Sequence, residues 1–214
     1  MSLRDTIFCT ELKDRFRGFL PVVVDIETAG VNPLKNALLE MSIVLIDINS
    51  EGIFSPQATY FEHIIPFEGA ELDEKSLEFI QVDPYQPLRF AIDEKQALKN
   101  LFAPINKALQ ERKCQKAVLV GHNAWFDLLF IKEAVKRTGV RSPFHSFTCF
   151  DTATLGGLFY GQTVLSRAAK AAGIDFNVNE AHSAIYDAER TAELFCAMLN
   201  AWRKIHTDSY KSSE

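Results

Sequence analysis

Apolar positions follow two rhythms along this chain, and the change from one to the other divides it. In residues 21–65 they come in short blocks rich in β-branched side chains. Residues 21–28 read as a buried strand: Val22, Val23 and Val24 follow a proline, and acids then alternate with apolar residues. A second strand is expected over 38–47, around Ile43, Val44, Leu45 and Ile46, and a third over 59–65, ending at Pro66. Three strands with short connections predict an antiparallel meander. From residue 73 the period turns helical. A short helix is expected over 73–80, and Asp93 can cap a long one whose apolar positions Ala97, Leu98, Leu101, Phe102, Ile105 and Leu109 keep helical spacing. Pro104 inside it is expected to kink or split it. Residues 117–121 are fully apolar, as in strands buried in a parallel sheet. A helix through Thr138 is stopped by Gly139, and a last short strand covers 147–150. Asp151 opens another helix, a further one over 163–172 is closed by Gly173, and the final helix covers 183–205. Residues 4–20 suit a short basic helix and 207–214 a frayed, disordered tail. The sum is an α/β fold: a mixed five-stranded sheet, antiparallel meander plus parallel strands, flanked by helices, in a single domain over 1–214.

Composition changes this picture little. With 47% hydrophobic and 24% charged residues, 214 residues fit one large globular domain. The four cysteines Cys9, Cys114, Cys149 and Cys196 show no CxxC and no paired-His spacing, which argues for reduced thiols rather than zinc sites or a disulfide framework. No signal peptide and no bilayer-length apolar run is evident, so no membrane association and a cytoplasmic location are expected. Net charge is −5, which speaks against a generally basic coat for nucleic acid. Acids that ligate metal inflate that count, however, and basic residues can be local.

The chemistry starts with Asp25 and Glu27, two residues apart on one face of the first strand. Paired carboxylates at the end of an apolar strand are either two solvated acids or ligands of a divalent cation. Asp127 enters a helix just after a buried strand, and Asp187 sits on the last helix, five residues after His182. Strand ends and adjoining helix starts of an open α/β sheet converge on one crevice. Four carboxylates together there need cations, and hard oxygen donors favour Mg2+ or Mn2+ over zinc. Two such ions about 3.5–4 Å apart are the standard device for in-line phosphodiester cleavage, and His182 then suits a general base. Taken singly each residue has a plainer reading: Asp127 and Asp187 as first-turn acids, His182 as a helix-start residue. Their agreement in spacing and element type favours the joint reading.

The motifs Asp25-Ile-Glu27-Thr28, His122-Asn123-x-x-Phe126-Asp127 and His182-x4-Asp187 together resemble the three exonuclease motifs of the DEDD superfamily, histidine subtype (DEDDh). Within that branch the chain is similar to the bacterial ribonuclease T family, through residues 14–18, 27–30, 161–166 and 181–192. The resemblance implies an RNase H-like fold, a homodimer and Mg2+-dependent 3′→5′ exonuclease action with two Mg2+ per active site, Mn2+ being an alternative. Substrates implied are the 3′ ends of tRNA and other stable RNAs, plus single-stranded DNA ends. By this likeness Asp25 bridges both metals, Glu27 and Asp187 complete one site, Asp127 serves the other, and His182, counted with these four acids in the metal set, serves the water. Phe79, Phe126 and Phe147 would wedge against terminal bases. Lys13, Arg15, Arg17, Arg112, Lys113, Lys116, Arg137 and Arg141 would feed substrate into the partner subunit's site. Two positions depart from the family: Val31 stands for a phenylalanine and Lys75 for a glutamate, which leaves the family's sensitivity to a terminal cytosine open. The alternatives are a proofreading exonuclease subunit or an oligoribonuclease of the same superfamily and, from another class, a catalytically silent RNA-binding module.

Overall fold

The computed structural model describes residues 3–211. Two short helices, α1 (Leu3–Ile7) and α2 (Leu12–Arg15), stand where one basic helix was expected. They lead into β1 (Phe19–Thr28), β2 (Leu38–Ile48) and β3 (Phe54–His63), a meander of antiparallel neighbours. After α3 (Glu74–Ile80) and α4 (Glu94–Glu111), β4 (Lys116–Gly121) joins β1 in parallel; β5 (Phe144–Asp151), following α5 (Trp125–Thr138), joins β4 in parallel. The sheet order is β3-β2-β1-β4-β5, the mixed five-stranded sheet the hydrophobic pattern predicts. Helices α6 (Thr152–Tyr160), α7 (Leu165–Ala171) and α8 (Ala184–Lys211) complete the chain.

Side chains of β1 and β2 are buried at positions pointing both ways, so both faces of the sheet are covered. Helix α8 lies across β1–β3, and α4 and α5 pack together on the other side. Phe102, Phe130 and Phe195 are among the largest fully buried side chains, each contributing about 2–3 kcal/mol of burial.

Several boundaries differ from the pattern. β3 starts five residues before its expected start, because its first half, with Pro56, is polar and exposed at the sheet edge. An edge strand tolerates a proline, and the register shifts where Leu45 and Ile46 face Ala58 and Pro56. Pro104 does not divide α4, which runs unbroken over 18 residues. Helix α8 continues to Lys211, so the expected frayed tail is helical as far as it is described; residues 212–214 lie outside the described residues. The caps follow their local chemistry. Asp73 Oδ1 accepts from Ser76 N at 2.8 Å, Asp93 Oδ1 from Gln96 N at 3.0 Å, and Asp151 from the N–H groups of Ala153 and Thr154. Among the described residues no helix is long and apolar enough to cross a membrane.

Candidate active site

The carboxylates gather where β1 ends. Asp25 and Glu27 project from one face of β1, across from Ser42 and Glu40 of β2. Asp127, in the first turn of α5, reaches the same strand: its carboxyl takes a hydrogen bond from the Ile26 backbone. That approach needs Gly121 at the end of β4. A Cβ there would lie 3.1 Å from Ala124 Cα and 3.2 Å from Asp127 Oδ2, tighter than ordinary contact. Asp187, in the first turn of α8, accepts the His182 backbone N–H on Oδ2 at 3.0 Å. Donor atoms of Glu27, His182 and Asp187 all lie within 4.8 Å of one another.

Asp151 and His122 hold the turn that delivers Asp127. Asp151 Oδ1 accepts from Asn123 N at 2.8 Å, and Asn123 takes a left-handed backbone, φ 65°. His122 Nε2 donates to Thr163 O at 2.8 Å, and Nδ1 lies 3.0 Å from the Thr152 hydroxyl, which is also 3.1 Å from Gly121 O. Burial lowers the His122 pKa, in keeping with a neutral ring. The motif histidine is thus a brace between β4, α6 and the loop before α7.

Electrostatics show what the site demands. Burial first, then the charges of Asp127, Glu27 and Asp187, push Asp25 well above the usual carboxylate range. Burial, Glu40 and Asp187 raise Glu27 to about 9, and burial chiefly raises Asp127 to about 8 and moves Asp187 upward. Asp187 Oδ1 is buried with no hydrogen-bond partner. Carboxylates that resist joint ionisation and a buried oxygen left over are what a divalent cation satisfies, and hard oxygen donors fit Mg2+ or Mn2+. His182 is exposed, in the left-handed region at φ 67°, with its ring centroid 4.4 Å from that of Phe79. A non-glycine residue held there is a strain that clusters at functional sites.

Beside Glu27 opens a cavity of about 340 Å3, lined among others by Thr28, Val31, Lys75, Ser76, Phe79 and Phe126. Two of the three predicted stacking rings are therefore at the site. Phe147 is not among the residues lining it; it stands 76% exposed on β5, edge-on to His145 at 4.5 Å.

The predicted basic residues lie elsewhere. Lys13, Arg15 and Arg17 precede β1, and Arg112, Lys113 and Lys116 precede or open β4, with Phe19 paired to Lys116 and Gln115 N donating to Gly18 O. They sit at the far end of β1 from Glu27, eight residues or roughly 26 Å away. Three of the eight already have acidic partners, Lys13 with Glu11 Oε2 at 2.5 Å among them. Arg112 Nη2 donates to Asp47 Oδ2 at 2.6 Å. Arg137 donates to both Glu94 oxygens, at 2.6 and 3.1 Å, and to Pro33 O, and lies 4.1 Å over the Phe67 ring. Arg141 is exposed beyond α5. Sequence reasoning passed over Glu40, a buried acid facing Glu27; its signal was a charge inside the apolar run from Leu38 to Met41.

Comparison with known proteins agrees with this geometry. Residues 22–195 match the RNase_T exonuclease family. The chain is 52% identical over 195 residues to a ribonuclease T from Marinobacter nauticus, covering 91% of this chain and 88% of that one. Among solved structures, the nuclease domain of 3′hExo, a DEDDh family member bound to rAMP, superposes at TM-score 0.66 with 19% identity, over 85% of this chain and 92% of that one. E. coli Exonuclease I in complex with a dT13 oligonucleotide gives TM-score 0.63 and 19% identity, over 90% of this chain but only 43% of that one. This chain belongs to the ribonuclease T exonuclease family and is a 3′→5′ exonuclease.

Proposed function

We propose that this exonuclease trims the 3′ ends of tRNA and other stable RNAs, and also single-stranded DNA ends, as a cytoplasmic homodimer of single-domain subunits using two Mg2+ per active site. The observation that carries the reading is the carboxylate cluster with its partnerless Asp187 Oδ1, set against a cavity of about 340 Å3 walled in part by Phe79 and Phe126. Asp25, Glu27, Asp127 and Asp187 would hold the ions. Bound there, divalent ions supply acidity to water and neutralise charge on the leaving 3′ oxygen. His182 accepts the proton of the attacking water, from a loop position next to Asp187. Phe79 and Phe126 clasp the terminal base, and stacking of this kind tolerates any base. The product is a 5′-mononucleotide, consistent with rAMP in the 3′hExo nuclease domain.

Substrate range draws on the relatives: one is named a ribonuclease and another holds a DNA oligonucleotide. Homodimerisation draws on the position of Lys13, Arg15, Arg17, Lys113 and Lys116. A basic end some 26 Å from its own carboxylates suits delivery of RNA to a second subunit. All four acids and the histidine are present, which disfavours a silent RNA-binding module.

A timed Mg2+-dependent digestion of 5′-labelled RNA hairpins with short 3′ tails ending in A or C, beside matched DNA, tests this reading. Stepwise trimming that halts near the duplex supports it, and the A-to-C ratio reports what Val31 and Lys75 do in the cavity. RNA bound but never shortened would return the silent module, and activity confined to a polymerase complex would return the proofreading subunit.

A further inference from the structure

A fifth carboxylate stands at the site without a place among the proposed ligands. Glu40 is buried, 7% exposed, and its side chain shares a sheet face with that of Glu27 across the β1–β2 pair. After burial, Glu40 is the strongest of the charges raising Glu27. Its Oε1 lies 3.1 Å from His63 Nδ1, on the neighbouring β3, and 3.6 Å from Arg89 Nη2. Burial lowers the His63 pKa, which favours the neutral ring, and Arg89, whose Nη2 also lies 3.4 Å from His63 Nδ1, supplies the positive charge.

Arg89 comes from the segment between α3 and α4 and is fixed by its own contacts. Nη2 donates to Leu39 O at 2.9 Å and Nη1 to Pro84 O at 3.2 Å. Its Nε is buried without a partner. A guanidinium sunk to 9% exposure with one donor unsatisfied is poor structural economy, and the charge it brings to Glu40 is the evident return.

We infer that Arg89 is a positioning residue of the active site: by pairing with Glu40 it withdraws a fifth carboxylate from the ligand cluster. This rests on the divalent-ion reading above. Four ligand carboxylates balance two divalent ions, and Arg89 balances Glu40, so an incoming phosphodiester meets a neutral site. Without Arg89 the site carries one extra negative charge close to Glu27. Such a charge attracts cations and repels phosphate. A merely structural lesion would instead loosen cation binding.

The test is a Mn2+ titration by calorimetry on wild type, Arg89→Met and the double variant Glu40→Gln/Arg89→Met, with kcat and KM on a short single-stranded RNA. In Arg89→Met, Mn2+ affinity should rise by roughly 3–10-fold and KM by about 10-fold, with kcat changed far less. The double variant, which buries no unpaired charge, should return both values to within about 2-fold of wild type. Arg89→Lys, which keeps the charge and loses the fork, should keep wild-type Mn2+ affinity. Weaker Mn2+ binding in Arg89→Met that the double variant does not restore would overturn the inference in favour of a loop anchor. Unchanged affinity and KM would overturn it outright. A wild type that binds no Mn2+ would instead bring down the divalent-ion reading itself.

Discussion

The residues of the site oppose one another until something positive joins them. Glu27 and Asp127 are raised to about 9 and about 8, so both hold protons more tightly folded than unfolded, where carboxylates titrate near 4. The folded chain then binds more protons than the unfolded one, and stability falls as pH rises through that window. Thermal melting in a chelator should show Tm decreasing from pH 5 to pH 9, with millimolar Mg2+ recovering most of the loss at pH 9. A metal-free Tm that rises with pH would contradict the burial and crowding described here. Asp25→Asn should abolish cleavage and leave metal-free Tm unchanged or higher, since it removes one of the repelling charges. His182→Ala should slow turnover by ~10²–10⁴ with the fold intact, and wild-type rates would remove His182 from the mechanism. The acids and the histidine are legible in sequence because their spacing and their elements agree. The Glu40–Arg89 pair is not, because its partners are 49 positions apart and Arg89 ends a three-residue 3-10 turn (Pro87–Arg89), too short to carry a period.

Elements bring the residues together through caps, turns and one close approach. Gly121→Ala places a Cβ against Ala124 and the Asp127 carboxyl, so it should lower kcat more than it raises KM. An unchanged kcat would mean the start of α5 gives way freely. The Glu94–Arg137 pair anchors α5 to α4: Glu94 is 7% exposed, and the guanidinium also bonds Pro33 O. Arg137→Met should cost about 2–3 kcal/mol in denaturant unfolding, and KM for RNA should stay near wild type. A large KM change with normal stability would restore Arg137 to substrate binding. Hydrophobic rhythm found the sheet and most of the helices, because both periods reflect burial against one core. It placed β3 late, since an exposed edge strand buries too little to leave an apolar signature. Phe147 came from the family likeness and not from rhythm; it stands exposed on β5, outside the lining of the cavity beside Glu27.

For the whole molecule, the separation between the basic end and the carboxylate end is the feature with most consequence. If RNA held by one subunit is cut by another, Asp25→Asn chains and Arg15→Ala/Arg17→Ala chains should complement. Each preparation alone should be inactive or weak, and a refolded mixture should recover a substantial fraction of wild-type rate. A mixture no better than its components, or a monomer by light scattering at micromolar concentration, would remove the delivery argument. The carboxylate cluster at the end of β1 is proposed to perform divalent-ion hydrolysis at a 3′ end. The most direct measurement of this is the chemical identity of the nucleotide released from a 3′-end-labelled single-stranded RNA, by wild type and by Asp25→Asn, with Mg2+ and with chelator. Wild type with Mg2+ should release a 5′-monophosphate nucleotide, and the other three reactions nothing. Release in the presence of chelator, release by Asp25→Asn, or a nucleoside 3′-phosphate as product would contradict that proposal.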